Sequence, residues 1–174
     1  PDTIAAKSCR EVEESFHARY SVQWKRYLYR IHNHPVKDPF AQGLCLRYPR
    51  RLDEQLLNQA AQDFVGTHDF SAFCAAGGKE MESNVRTIYS ASVTRQGDQV
   101  YFAVEGNGFL YNMVRIMVGT LLEISERTIA PDSIPEIIAS LDRSRAGRTA
   151  PAQGLYLDHV EYGGGLPGET EKNK

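Results

Sequence analysis

An α+β fold, a mainly antiparallel sheet covered by helices, is what this chain of 174 residues predicts. Three features carry that expectation. Strand-like runs are joined by tight turns rather than by regular crossover helices, the clearest being the hairpin signal around Gln96-Gly97-Asp98. Two stretches, at 53–64 and 110–125, repeat apolar residues at helical spacing, and a third at 133–141 opens with a capping signature. Strands and helices therefore intersperse without the strict alternation of a parallel α/β sheet.

Taken in order, Tyr20 to Ile31 is dense in aromatic and β-branched residues and reads as a strand, followed by a loop punctuated by Pro35 and Pro39. Asp53 opens an amphipathic helix with Leu56, Leu57, Ala60, Ala61 and Phe64 on one face, and Gly66 stands where it ends. Val85 to Thr94 and Gln99 to Glu105 form the hairpin. Leu110 to Ser125 is an apolar helix with Met113, Met117 and Leu121 on one stripe. Ser133 and Glu136 make a capping box before Ile134, Ile137, Ile138 and Leu141. A loop with Arg143, Arg145 and Arg148 leads to a last strand, Leu155 to Tyr162. Residues 1–162 are read as a single domain and 163–174, glycine-rich and then polar, as a flexible tail.

Composition narrows the class. The apolar run from Phe109 to Ile124 is broken by Asn112 and Arg115 and is too short to span a membrane. A start at Pro1, with neither Met nor the grammar of a signal peptide, reads as a piece of a longer product. Cys9, Cys45 and Cys74 are odd in number and have no Cys-x-x-Cys spacing, which points to a reduced, cytoplasmic protein without a zinc site. The net charge of -2 hides an asymmetry: Ser15 to Arg51 holds eight cations against Asp38, or +7, while 52–174 sums to -7. Such a block suits a polyanion site, and equally a solvated charged face.

Three segments hold chemistry. In a strand, Lys25, Tyr27 and Tyr29 share one face while Arg26 and Arg30 share the other. Cations beside aromatic rings suit RNA, and the same pattern suits a half-buried strand whose tyrosines are core. Within Asn107 to Arg115, the arginine sits between Val114 and Ile116 on a helix apolar nearly all round, with no acid one turn away. A guanidinium keeps its proton, so Arg115 calls for a partner from elsewhere or else snorkels to solvent. Ala146 to Leu157 is rich in small residues and reads either as a tight loop or as a wall beside a planar substrate. His32-Asn33-His34 lacks acids or cysteines at ligand spacing, and alternate histidines on a strand are usually structural. No phosphate-binding glycine loop, dinucleotide fingerprint or nucleophile elbow is present.

The same segments resemble the TruA family of tRNA pseudouridine synthases. Phe16-His17-Ala18-Arg19-Tyr20-Ser21 with Lys25-x-Tyr27-x-Tyr29 is similar to the family's motif after its domain junction. Asn107-x-Phe109-Leu110-Tyr111-x-Met113-Val114-Arg115 is similar to its arginine-bearing helix, and Ala146-Gly147-x-Thr149-Ala150-Pro151-Ala152-x-Gly154-Leu155-Tyr156-Leu157 to its late active-site loop. His68-Asp69-Phe70-Ser71 and Val85-Arg86-Thr87-Ile88 fit as well, and all five come in family order.

The resemblance implies the carboxy-terminal half of a pseudouridine synthase, an isomerase turning uridine into pseudouridine in the tRNA anticodon stem-loop. It implies a homodimer, tRNA as partner, and no cofactor or metal. It assigns Tyr27 to packing on the uracil and Arg115 to pairing with a catalytic aspartate. His17, Arg19, Lys25 and Arg26 fall in the stretch lining the RNA cleft, and Gly154 and Leu155 in the substrate-pocket loop. The family's aspartate lies in a Gly-Arg-Thr-Asp-Ala-Gly motif of the amino-terminal half, and this chain has no such string, so alone it is expected to be inactive. Gln23-Trp24 and Arg148 depart from the family pattern, small residues and a proline being usual there. The alternative is a non-catalytic RNA-binding domain of related fold.

Overall fold

The computed structural model describes residues 1–9, 11–78 and 82–163. Its elements are β1 (Val22–His32), β2 (Leu46–Arg47), α1 (Glu54–Ala61), β3 (Gly66–Asp69), β4 (Val85–Gln96), β5 (Gln99–Gly106), α2 (Met113–Ser125), α3 (Ile134–Ser140) and β6 (Leu155–Tyr162). Short 3₁₀ turns link several of them. The expected tail, Gly163 apart, lies outside the described residues.

β1 is the hub of the sheet. Along one edge it pairs antiparallel with β5, from Lys25↔Gly106 to His32↔Gln99, and β5 continues through β4 to β3. The other edge is shared: β6 runs antiparallel beside Val22 to Tyr29, and β2 runs parallel beside Ile31 and His32. Among the described residues only the β1–β2 pair is parallel, so the sheet is mainly antiparallel and the fold is α+β.

Alternation sets the faces. Tyr29 and Ile31 stand opposite Phe102 and Val100, and all four are buried with Ile88, Ala91, Val93 and Val104 in one core with the three helices. Leu57, Ala60 and Ala61 join it from α1, ten residues of α2 are buried, and Ile134, Ile137 and Ile138 come from α3. Asp53 caps α1 by accepting from the N–H groups of Gln55 and Leu56, both at 3.1 Å. Gly97 turns the β4–β5 hairpin at a φ of +58° that favours glycine.

Two helix ends differ from the sequence reading. α2 begins at Met113 rather than Leu110, because Asn112 adopts a left-handed φ of 59° and interrupts any earlier helical path. The expected capping box before α3 does not form. Ser133 sits in the helical region itself, and its hydroxyl donates backwards to the Ala130 carbonyl at 2.7 Å. Leu141, expected on the buried face, closes α3 at a left-handed φ of 56° and is exposed.

His32-Asn33-His34 is structural. The Asn33 amide donates to the Tyr48 and Arg50 carbonyls at 2.8 and 2.6 Å and accepts from Leu52 N–H and the Arg95 guanidinium. His32 and His34 each meet the Val36 carbonyl. Among the described residues no three metal-ligating side chains cluster, and no helix is long and apolar enough to cross a membrane.

Candidate active site

Arg115 and the loop over 146–154 are built as one unit. The Ala150 N–H donates to the Arg115 carbonyl at 3.0 Å, and Arg115 Nε donates back to the Ala150 carbonyl at 2.6 Å. Its terminal nitrogen donates to Asn112 Oδ1 at 3.0 Å. That last contact explains the left-handed Asn112: its side chain serves the guanidinium instead of capping α2. Arg115 is half-buried, and among the described residues no carboxylate pairs with it.

The next loop residue reaches β1. The buried Tyr29 hydroxyl donates to the Pro151 carbonyl at 2.6 Å. Burial pushes this phenol up to about 12, although the Arg115 charge pulls it down. Gly154 lies flat on the Tyr29 ring, where a Cβ would come within 2.7 Å of ring carbons, and Leu155 pairs with Tyr29 across the strands.

Glycines let the loop ride on α2. A Cβ on Gly119 would fall on the Arg148 carbonyl oxygen, and one on Gly147 would come within 2.6 Å of the Thr120 backbone. Thr120 completes the seam: its hydroxyl donates to the Ile116 carbonyl and accepts from Gly147 N–H, both at 2.9 Å. The small residues of this segment thus fit it against a helix; what lies on its other side is not part of that contact.

Tyr27 is one strand repeat from Tyr29 on the same face, its ring edge-on to Phe109 with centroids 5.1 Å apart. Burial raises its phenol above the ordinary value. Lys25 is the next residue on that face, half-buried beside Gly106 and Val160. Arg26 faces the opposite way. Its Nε lies 2.9 Å from Asp158 and its terminal nitrogen 3.6 Å from Glu105. His17 and Arg19 belong to an exposed turn before β1, where the imidazole Nδ1 accepts from Arg19 N–H at 3.1 Å and stacks on Tyr20. That turn is tied to β6 by the Tyr162 hydroxyl, which donates to the Ala18 carbonyl at 2.9 Å.

Arg115, Gly154 and Leu155 therefore meet around Tyr29, with Tyr27 and Lys25 continuing the same face, while Arg26, His17 and Arg19 lie apart. Reading residue types alone misses Asn112, Tyr29 as a hydrogen-bond donor, and the Thr120–Gly147 seam. The signal available for the seam is Gly119, a helix-weakening residue inside an apolar helix. The two departures from the family pattern have local partners: Trp24 stacks on His159 at 4.8 Å, and Arg148 pairs with Glu123 and Glu126.

The site is thus an aromatic sheet face beside a loop-held guanidinium on a mainly antiparallel α+β domain. The chain belongs to the tRNA pseudouridine synthase family, whose sequence model matches residues 60–163. It is 48% identical over 164 residues to tRNA pseudouridine synthase A of Brevibacillus brevis, covering 93% of this chain and 66% of that protein. The corresponding enzyme of Acetivibrio thermocellus is 47% identical over 162 residues, with the same two shares. A tRNA pseudouridine synthase A 1 of Bacillus cereus is 44% identical over 162 residues, 93% of this chain and 65% of the relative. The chain thus spans just under two thirds of the length of these curated relatives.

Proposed function

We propose that this chain is the guanidinium-bearing half of an enzyme that isomerises uridine to pseudouridine in the tRNA anticodon stem-loop. The observation that carries the reading is Arg115, oriented by the Ala150 carbonyl and Asn112 with no carboxylate partner among the described residues. A half-buried cation so fixed is prepared for an acid from outside this domain. In this reading the acid is the aspartate of a Gly-Arg-Thr-Asp-Ala-Gly segment in the amino-terminal half.

The chemistry assigned to this chain is positional. Pseudouridine formation moves the ribose C1′ bond from uracil N1 to C5 and releases the C5 proton. Arg115 keeps the incoming aspartate ionised, hence able to act as nucleophile or base. Tyr27, whose phenol burial raises further above neutral pH, offers a ring to stack on the uracil and a hydroxyl that donates. Gly154 and Leu155 form the wall behind it. Lys25, His17 and Arg19 hold phosphates, with a smaller share from Arg26 because acids already engage it. The isomerisation exchanges no electrons with a second reactant, so the reading needs no redox cofactor.

The same reading takes 1–162 as one domain and places the enzyme in the cytoplasm as a homodimer with tRNA as its partner. Support for a reducing compartment comes from three free cysteines. The test is release of tritium from tRNA carrying C5-tritiated uridine. Release is expected when the chain is joined to an amino-terminal half bearing the aspartate motif, and none from the chain alone. Release by the chain alone overturns the division of labour. Tight tRNA binding without release from the joined protein would favour the RNA-binding module instead.

A further inference from the structure

Arg148 takes no part in the chemistry proposed above, yet it is the best-anchored cation of the late loop. Its backbone N–H donates to Glu123 Oε1 at 2.9 Å, and its guanidinium binds both oxygens of Glu126, at 2.9 and 2.7 Å. Glu126 also accepts the Tyr48 hydroxyl at 3.1 Å, so the network joins the segment after β2, the end of α2 and the loop. The glutamate side chains are 21% and 20% exposed and that of Arg148 49%, so the clamp is anchored on its acidic side and screened in part from its basic side. Bidentate guanidinium–carboxylate geometry fixes direction as well as distance.

Two residues further on, Ala150 binds Arg115 through both its N–H and its carbonyl, and Pro151 receives Tyr29. The stretch from Arg148 to Pro151 is therefore strung between the end of α2 and the site. Because Gly119 and Gly147 let this backbone lie directly on the helix, no intervening side chain absorbs a shift.

We propose that Arg148 is a positioning residue: its clamp on Glu123 and Glu126 sets the Ala150 carbonyl at the place that orients the Arg115 guanidinium. The functional meaning rests on the reading of Arg115 above; the geometric claim does not.

The test is hydrogen exchange of the Arg115 Nε–H, followed by proton–nitrogen NMR in the full 174-residue chain. Arg148→Met is expected to speed that exchange about tenfold, and Glu126→Gln, which keeps shape but removes charge, by a smaller factor. Arg148→Lys, which keeps the charge and the backbone N–H but not the bidentate fork, should fall between wild type and Arg148→Met. Arg145→Met, which cuts the exposed pair with Glu136, is the control and should leave the exchange unchanged. A folded Arg148→Met chain with a lower Tm but an unaltered Arg115 signal overturns the proposal, and if that variant does not fold, Glu126→Gln decides on the same criterion. In the joined enzyme, Arg148→Met should lower kcat and spare KM for tRNA. If turnover ignores Arg115→Met as well, the functional reading fails, while the exchange result still decides the geometry.

Discussion

The seam between α2 and the loop over 146–154 differs in kind from the stretch that runs from Ser15 through β1, although both bear residues typical of the family. The seam is closed: glycines bring backbone onto backbone, and Thr120, Arg115 and Arg148 stitch it with hydrogen bonds. The basic stretch is open, and its positive charge is partly consumed by the molecule itself. Arg26 is held by Asp158 and Glu105 and Arg51 by Glu54, while Arg30, over the neutral Tyr156 ring, keeps its charge. A net charge counted along the chain therefore overstates what a polyanion meets. Precision resides in the seam, and adaptable contact in the stretch.

The largest effect expected to test that contrast is on turnover. In the joined enzyme, Arg115→Met should leave a buried carboxylate without its cation, costing about 3–5 kcal/mol, and should lower kcat far more than tRNA affinity. Equal losses in both, measured by single-turnover kinetics and filter binding, would make Arg115 a mere RNA contact. Next is the closeness of the seam. Gly119→Ala has to force Arg148 away from α2 and should destabilise the fold by about 3 kcal/mol, read as a lowered urea midpoint. An unchanged midpoint would mean the loop is free to lift.

A smaller effect is tied to alkaline pH. The Tyr29 phenol is raised from 10.0 to about 12, so the folded state holds its proton more tightly than the unfolded chain. Its contribution is complete below pH 10 and is lost as pH rises towards 12, about 3 kcal/mol in all. Tyr29→Phe should flatten the fall in stability over that window, followed by denaturant melts. The smallest effect belongs to the open stretch. Lys25→Ala should reduce the salt dependence of tRNA binding by a log–log slope on the order of 0.7, and Arg26→Ala by less. Equal reductions would mean that RNA displaces Asp158 and Glu105 from Arg26.

Legibility in the sequence followed the range of the interaction. β6 occupies Leu155–Tyr162 as expected, and the hairpin turns at Gly97, because alternation and turn chemistry are local. The start of α2 lies later than the periodicity implies because Asn112, a break in the apolar run, is recruited by a side chain of the following turn. The α3 cap failed because Ser133 found a nearer acceptor in Ala130. Arg115 stood out because a guanidinium on an apolar helix demands explanation. Tyr29 did not, since a tyrosine on a half-buried strand looks like ordinary core and its acceptor is 122 positions away. The pairing of Arg26 was hidden for the same reason, its acids lying in β5 and β6.

The central place of β1 has a consequence for how the chain acquires its shape. Of the described strands this one is made first, yet one edge waits for β5 and most of the other for β6, the last element described. Its ladders are almost entirely non-local, and closing such long loops costs entropy before any pairing compensates. During synthesis β1 therefore emerges as an aromatic-rich strand with two open edges, a form prone to pair with a neighbouring copy. Cations at Lys25, Arg26 and Arg30 along it repel a second such strand, and so guard the nascent chain while its edges are unpaired.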